Sequence, residues 1–167
     1  MHTAYIALGS NQGDRELNLL RGVAEIGRLP GSKISALSGF YETEPVGTVP
    51  QENFYNAVLR LETDLPPEPL LHELLRIESE VFLRTREVPG GPRRMDLDLL
   101  LYNDLVLQTA DLTLPHPRLH ERRFVLAPLV EIAPKLHHPV LHEPVSTLLS
   151  RLPRKPGIRK LEEPTWD

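Results

Sequence analysis

Residue type and spacing point most directly to chemistry in the segment Arg93-Arg94-Met95-Asp96-Leu97-Asp98-Leu99-Leu100-Leu101. In an extended strand successive side chains face opposite ways, so Asp96 and Asp98 project together while Met95, Leu97, Leu99 and Leu101 project to the other side. Two adjacent carboxylates repel each other unless a cation lies between them. Hard oxygen ligands on a stiff strand suit Mg²⁺ that also carries phosphate oxygens. A half-solvated strand with an acidic face has the same pattern. The nearby Arg84, Arg86, Arg93 and Arg94 favour a metal-nucleotide site, because guanidinium forks match phosphate oxygens.

Other groups fit the same chemistry. Gly9-Ser10-Asn11 stands between an apolar strand and a helix start, where backbone N–H groups and the helix dipole attract anions; an ordinary turn has the same composition. His116, flanked by Pro115 and Pro117, and Arg122 with Phe124 bring a phosphate donor, a cation and an aromatic face into one short stretch. Taken singly, these three also suit a turn residue, a solvated charge and a core ring.

The elements that must position these groups read as β-α-β-β-α-β. Ala4 to Leu8 is an apolar strand, and Asp14 caps a helix carrying Leu17, Leu20, Val23, Ala24 and Ile26 on one stripe. Ile34 to Glu42 forms a second strand. Asn56 to Glu62 forms a third, with Ala57, Leu59 and Leu61 on one face and Val58 and Arg60 on the other. Pro66 and Pro67 open a helix that turns Leu70, Leu71, Leu74, Ile77 and Val81 toward the core, and Arg94 to Tyr102 is the fourth strand. This order predicts an α+β fold, a ferredoxin-like antiparallel sheet with both helices on one face. C-terminal additions follow: an extended stretch at Leu105 to Leu114, and helices at His120 to Ile132 and Val145 to Leu152. The chain is expected to be a single domain over residues 1–167, with 153–167 a peripheral tail.

A chain of 167 residues can bury a core without staples, and with no cysteine it has neither disulfides nor thiolate metal sites. A reducing cytoplasm is the expected location, since no basic region precedes an apolar stretch at the N-terminus and no apolar run approaches bilayer length. The net charge of −4 argues against a general nucleic-acid binder. Only four of the nineteen basic residues are lysine, and the arginines gather at 84–94 and at Arg118, Arg122 and Arg123.

Gly9-Ser10-Asn11, Tyr41-Glu42-Thr43-Glu44-Pro45, Phe54-Tyr55-Asn56, Gly91-Pro92-Arg93-Arg94-Met95-Asp96-Leu97-Asp98, and Pro115-His116 through Arg122-Arg123-Phe124-Val125-Leu126-Ala127-Pro128-Leu129 occur in an order and spacing that resemble the 6-hydroxymethyl-7,8-dihydropterin pyrophosphokinase family. The resemblance runs from Met1 to about Val140. It implies ATP as diphosphate donor, a hydroxymethyl dihydropterin as acceptor in folate biosynthesis, AMP as product, and two Mg²⁺ ions at Asp96 and Asp98. By the same resemblance, Arg93, His116 and Arg122 hold phosphates, Thr113 lies near the adenosine, and Glu78 occupies a helix position beside the nucleotide. The pterin slot is walled by Phe54 and Phe124 and read by Asn56, with Thr43, Pro45 and Val46 close by. Small molecules are the expected partners, with neither nucleic acid nor membrane, and the expected state is a monomer.

The chain departs from the family pattern at Leu83, where a glycine is usual before the loop arginines, and at Gly90, where an aromatic is usual. The loop from Leu83 to Pro92 is expected to close over bound substrates and bring Arg84 and Arg86 to the phosphates. Two other classes share parts of the pattern. An RNA-binding module uses the same element order, but an acidic sheet face repels RNA. Nucleotidyltransferases combine Gly-Ser with Asp-x-Asp at short separation, whereas Ser10 and Asp96 are far apart.

Overall fold

The computed structural model describes every residue except 46, 48, 84–90, 155–156 and 162–167. Its elements are β1 (His2–Ser10), α1 (Arg15–Gly27), β2 (Ser32–Leu37), β3 (Tyr41–Thr43), β4 (Phe54–Thr63), α2 (Pro67–Arg76), β5 (Asp96–Tyr102), β6 (Leu107–Gln108), β7 (Thr113–Leu114), α3 (Arg123–Ile132), α4 (Val145–Ser150) and β8 (Ile158–Lys160). β1 lies between β5 and β4, antiparallel to both. The far edge of β4 is shared by β2 and β3 in succession, and β8 pairs antiparallel beyond β3. The architecture is the expected ferredoxin-like α+β sheet, with β6 and β7 forming a separate hairpin.

The sheet divides two apolar clusters. On one side Ile6, Leu8, Leu59, Leu61, Leu97 and Leu99 pack with Leu19 and Ile26 of α1 and with Leu70 and Leu74 of α2. On the other side Tyr5, Val58, Leu100 and Leu101 pack with α3 and α4 through Val125, Leu126, Leu129, Val145 and Leu148. Burial of each such leucine or valine contributes roughly 1.5–3 kcal/mol, which is what holds both helical layers to the sheet. Among the described residues, no helix is long and apolar enough to cross a membrane.

The side chain of Asp14 caps α1 by accepting the Leu17 N–H, as its sequence position predicts. The buried stripe of α1 is the expected one only in part: Ile26 is buried and Val23 packs against the core, but Leu17, Leu20 and Ala24 are exposed, and Asn18, Leu19 and Gly22 face inward. Gly22 decides this rotation. A Cβ there would stand 3.0 Å from Leu8 and 3.1 Å from Met95, so the helix approaches the sheet along its glycine.

The strand expected from Ile34 to Glu42 is broken at Ser38-Gly39-Phe40. The Ser38 hydroxyl accepts the Val58 N–H at 2.9 Å and donates to the Gly39 carbonyl at 2.8 Å, so a side chain replaces one rung of the ladder. Leu101 also departs from the expected alternation. Tyr5 pairs with Leu101 and Ile6 with Leu99, leaving Leu100 as a bulge that turns both Leu100 and Leu101 toward α3. Within the segment expected to be peripheral, Ile158–Lys160 adds an edge strand to the sheet.

Candidate active site

Strand register places the site on the sheet face that carries α3. Asp96 pairs with Gly9, Gly9 with Asn56, Asn56 with Tyr41 and Tyr41 with Lys160, forming one row across five strands. Asp98 pairs with Ala7 in the next row. Directly opposed residues share a face, so the carboxylates and the Asn56 amide flank a floor of Gly9 and Ala7. This floor has to be small. A Cβ at Gly9 would meet Asn56 Oδ1 at 2.9 Å and Phe54 at 3.7 Å.

A cavity of about 210 Å³ stands over that floor, lined by Thr43, Glu44, Pro45, Gln51, Phe54, Asn56, Arg93, Asp96, Asp98, Arg122 and Phe124. The Asn56 Nδ2 donates to Thr43 Oγ1 at 2.7 Å, which fixes the amide plane. A second groove, about 290 Å³, is lined by Glu78, Asp96, Asp98, Thr113 and His116 together with Leu71, Leu75 and Leu112. Asp96 and Asp98 thus stand in a wall common to both cavities. Arg93, Asp96, Asp98, Asn56, Phe54, Thr43, Pro45, Phe124 and Arg122 are brought together in the first cavity, and Glu78, Thr113 and His116 in the second. Val46, Arg84 and Arg86, and with them residues 84–90 of the expected closing loop, lie outside the described residues.

Arg122 Nη1 lies 3.9 Å from Asp98 Oδ2, and its guanidinium stands 5.7 Å from the centre of the Phe124 ring. His116 Nδ1 accepts the Arg118 N–H at 3.3 Å, leaving Nε2 as the donor of the neutral ring. Burial pulls the His116 pKa below the ordinary imidazole range; Asp98 opposes the fall, while Arg122 and Arg118 add to it. Glu78 sits on a π-helical turn, Ile77–Val81, that extends α2 and brings this side chain inward. It is buried, and its Oε2 accepts the Leu97 N–H at 2.7 Å on the open edge of β5, between the two aspartates.

Gly9-Ser10-Asn11 is not the anion-binding turn that its position before α1 suggested. β1 continues through Ser10, and the Asn11 N–H donates to the Arg93 carbonyl at 2.9 Å. The Asn11 side chain accepts the Arg93 N–H at 2.7 Å and donates to Gln51 and to the Glu52 carbonyl. Asn11 therefore clamps the arginine-bearing segment to the loop leading into β4. Its neighbours in sequence carry no sign of this, because both partners are distant along the chain.

The family model for 7,8-dihydro-6-hydroxymethylpterin-pyrophosphokinase (HPPK) matches residues 5–134. The chain is 49% identical over 129 residues to the 2-amino-4-hydroxy-6-hydroxymethyldihydropteridine pyrophosphokinase of Bacillus subtilis, covering 77% of each chain. It is 39% identical to the folic acid synthesis protein fol1 of Schizosaccharomyces pombe, matching 93% of this chain and 21% of that longer protein. The fold also matches the Plasmodium falciparum HPPK-DHPS structure, with a TM-score of 0.70 at 16% identity, over 90% of this chain and 43% of that one. With residues 5–134 matched and the Asp-x-Asp strand facing two cavities, the chain belongs to the 7,8-dihydro-6-hydroxymethylpterin-pyrophosphokinase family, the enzymes that pass a diphosphate from ATP to the hydroxymethyl group of that reduced pterin in folate biosynthesis and release AMP.

Proposed function

We propose that the reduced pterin occupies the cavity between Phe54 and Phe124, that ATP occupies the groove bounded by Glu78, Thr113 and His116, and that Asp96 and Asp98 would hold two magnesium ions. The observation that carries this reading is the carboxylate pair in the wall common to both cavities. A diphosphate passing from one ligand to the other must cross that wall. Among the described residues no group of three or more ligating side chains gathers as a metal site. The donor set suits Mg²⁺ nonetheless, since this ion commonly takes one or two protein carboxylates and fills its remaining positions with water and phosphate oxygens. When bound, it neutralises phosphate charge and lowers the pKa of a coordinated hydroxyl.

The chain's own groups do the rest by positioning and electrostatics. Phe54 and Phe124 wall the pterin ring while Asn56, oriented by Thr43, reads its hydrogen-bonding edge, with Pro45 on that side. Arg93, at the root of β5, and Arg122, beside Asp98, balance charge on the transferred diphosphate. Arg84 and Arg86, outside the described residues, are assigned the same charge-balancing role. His116, neutral near pH 7, donates from Nε2 to a phosphate oxygen.

The test is incubation with ATP, Mg²⁺ and the hydroxymethyl dihydropterin, with AMP as the readout, alongside separate binding of each ligand. Phe124→Ala and Asn56→Ala are expected to weaken pterin binding far more than ATP binding, and His116→Ala the reverse. Equal losses for both ligands in well-folded variants overturn the assignment of the two cavities.

A further inference from the structure

The C-terminal strand β8 lies outside the family match, which ends at residue 134, yet it stands in register with the reading edge of the site. Its strand partner among the described residues, β3, has just three residues, follows the break at Ser38-Gly39-Phe40 and carries Thr43. A strand so short makes few ladder hydrogen bonds with β4, and without β8 its other edge would be open. β8 covers that edge, and the Leu161 N–H donates to the Phe40 carbonyl at 2.8 Å just past it.

Two side-chain routes join β8 to the site. Lys160 lies 3.2 Å from Glu131 of α3, and the same carboxylate accepts the Tyr41 hydroxyl at 2.6 Å and the Gly39 N–H at 3.0 Å. Burial alone would raise the Glu131 pKa; the bonds from Tyr41, Gly39 and Lys160 outweigh it and leave the group ionised. The Lys160 stem crosses Gly39 so closely that a Cβ there would stand 2.5 Å from Lys160 Cε. Arg159 lies 2.8 Å from Glu42, Glu42 lies 3.7 Å from Arg15, and Arg15 donates to the Asn53 carbonyl at 2.9 Å, beside Phe54.

We infer that β8 is a clasp: Lys160 and Arg159 act as positioning residues that hold β3 against β4, so that Thr43 keeps the Asn56 amide turned to receive the pterin. This rests on the assignment of Asn56 and Thr43 to the pterin cavity. The contacts of Lys160 and Arg159 described above run to α3 and β3 and not to β5, so loosening the clasp should affect pterin recognition far more than nucleotide binding and the chemical step.

The experiment measures pterin affinity in the presence of a non-hydrolysable ATP analogue, ATP affinity, and the single-turnover rate at saturation. In the Arg159→Ala/Lys160→Ala double variant, pterin affinity should fall about fivefold to tenfold, the combined effect of two partly exposed ion pairs. ATP affinity and the saturated rate should each change by less than about twofold, within the scatter of neutral surface changes. Lys160→Arg should restore much of the loss in the Lys160→Ala single variant. In an Asn56→Ala background the double variant should have little further effect, because the clasp acts through Asn56. Unchanged pterin affinity in the double variant, with Asn56→Ala still weakening pterin, overturns the clasp. Equal losses for ATP and pterin in the double variant also overturn it. If Asn56→Ala itself leaves pterin binding intact, the cavity assignment fails instead.

Discussion

The two sides of the active site are built in opposite ways. The carboxylate side is contiguous in sequence at its centre: Arg93, Asp96 and Asp98 lie on one strand and its root, and distant groups such as Glu78, which satisfies the Leu97 N–H, and Arg122, 3.9 Å from Asp98, join it at the margin. The side proposed to take the pterin is assembled from Gly9, Thr43, Phe54, Asn56 and Phe124, five places on four elements, one of them paired with β8. A contiguous site inherits its geometry from the pleat of one strand. An assembled site depends on strand register and on every contact that maintains it, so small distant changes should reach it more easily.

The largest effect expected from this contrast is at the contiguous side. Asp96→Asn or Asp98→Asn should lower turnover on the order of 10²–10³-fold, as for loss of a single group stabilising transition-state charge. Folding should be unaffected, since the Asp98 side chain is 40% exposed and neither residue belongs to the core. AMP production close to normal at ordinary Mg²⁺ would remove the metal role. On the assembled side, Gly9→Ala should push Asn56 or Phe54 out of place, because the new Cβ would stand 2.9 Å from Asn56 Oδ1. Overpacking of this kind costs about 1–3 kcal/mol, so pterin affinity should fall about tenfold or more while ATP affinity holds. Equal affinity for both ligands in this variant would mean that the floor is not a pterin contact.

Glu78 sharpens the comparison because it is a distant group bonded to the backbone of the contiguous strand. Glu78→Ala leaves the buried Leu97 N–H without this acceptor and should cost about 1–3 kcal/mol of stability, with a parallel loss of turnover. Glu78→Gln keeps an acceptor and should recover most of the stability. If thermal unfolding of the two variants coincides, the hydrogen bond is not what Glu78 supplies. The smallest effect is expected away from both sides. His138 Nδ1 accepts the Val140 and Leu141 N–H groups, and burial together with His120 and His142 holds its pKa below the ordinary 6.5. Because the unfolded chain then binds a proton that the folded chain does not, stability is full above pH 6.5 and declines as pH falls below it. His116 contributes in the same direction. His138→Ala should cost about 1 kcal/mol at neutral pH and make this acid decline shallower, which denaturant unfolding at pH 7.5 and 5.5 would reveal.

Asn11 and Gly22 show where reading along the chain fails. Asn11 lies within a turn-forming tripeptide, and its composition is that of a helix entrance; its actual partners, Arg93, Gln51 and Glu52, are forty or more positions away. On α1, an apolar stripe can run to Ile26 through Leu17 and Leu20 as well as through Leu19. The choice between them comes from the close approach of Gly22 to Leu8 and Met95, a fact of helix-on-sheet packing. The bulge at Leu100 likewise leaves no mark in a run of apolar residues that satisfies either face.

What this amino-acid sequence determined by itself is whatever depends on neighbours along the chain. The strand period sets Asp96 and Asp98 on one face, Asp14 caps α1, Pro66 and Pro67 open α2, and the element order specifies the antiparallel α+β sheet. The spaced motifs carried the family with them, because their residue types are constrained by chemistry and not by packing alone. The tertiary structure alone decided the row from Asp96 through Gly9 and Asn56 to Tyr41 and Lys160, and the two cavities that share one acidic wall. Register and cross-strand neighbours are settled by the joint burial of both sheet faces, a condition on the whole chain that no local window contains.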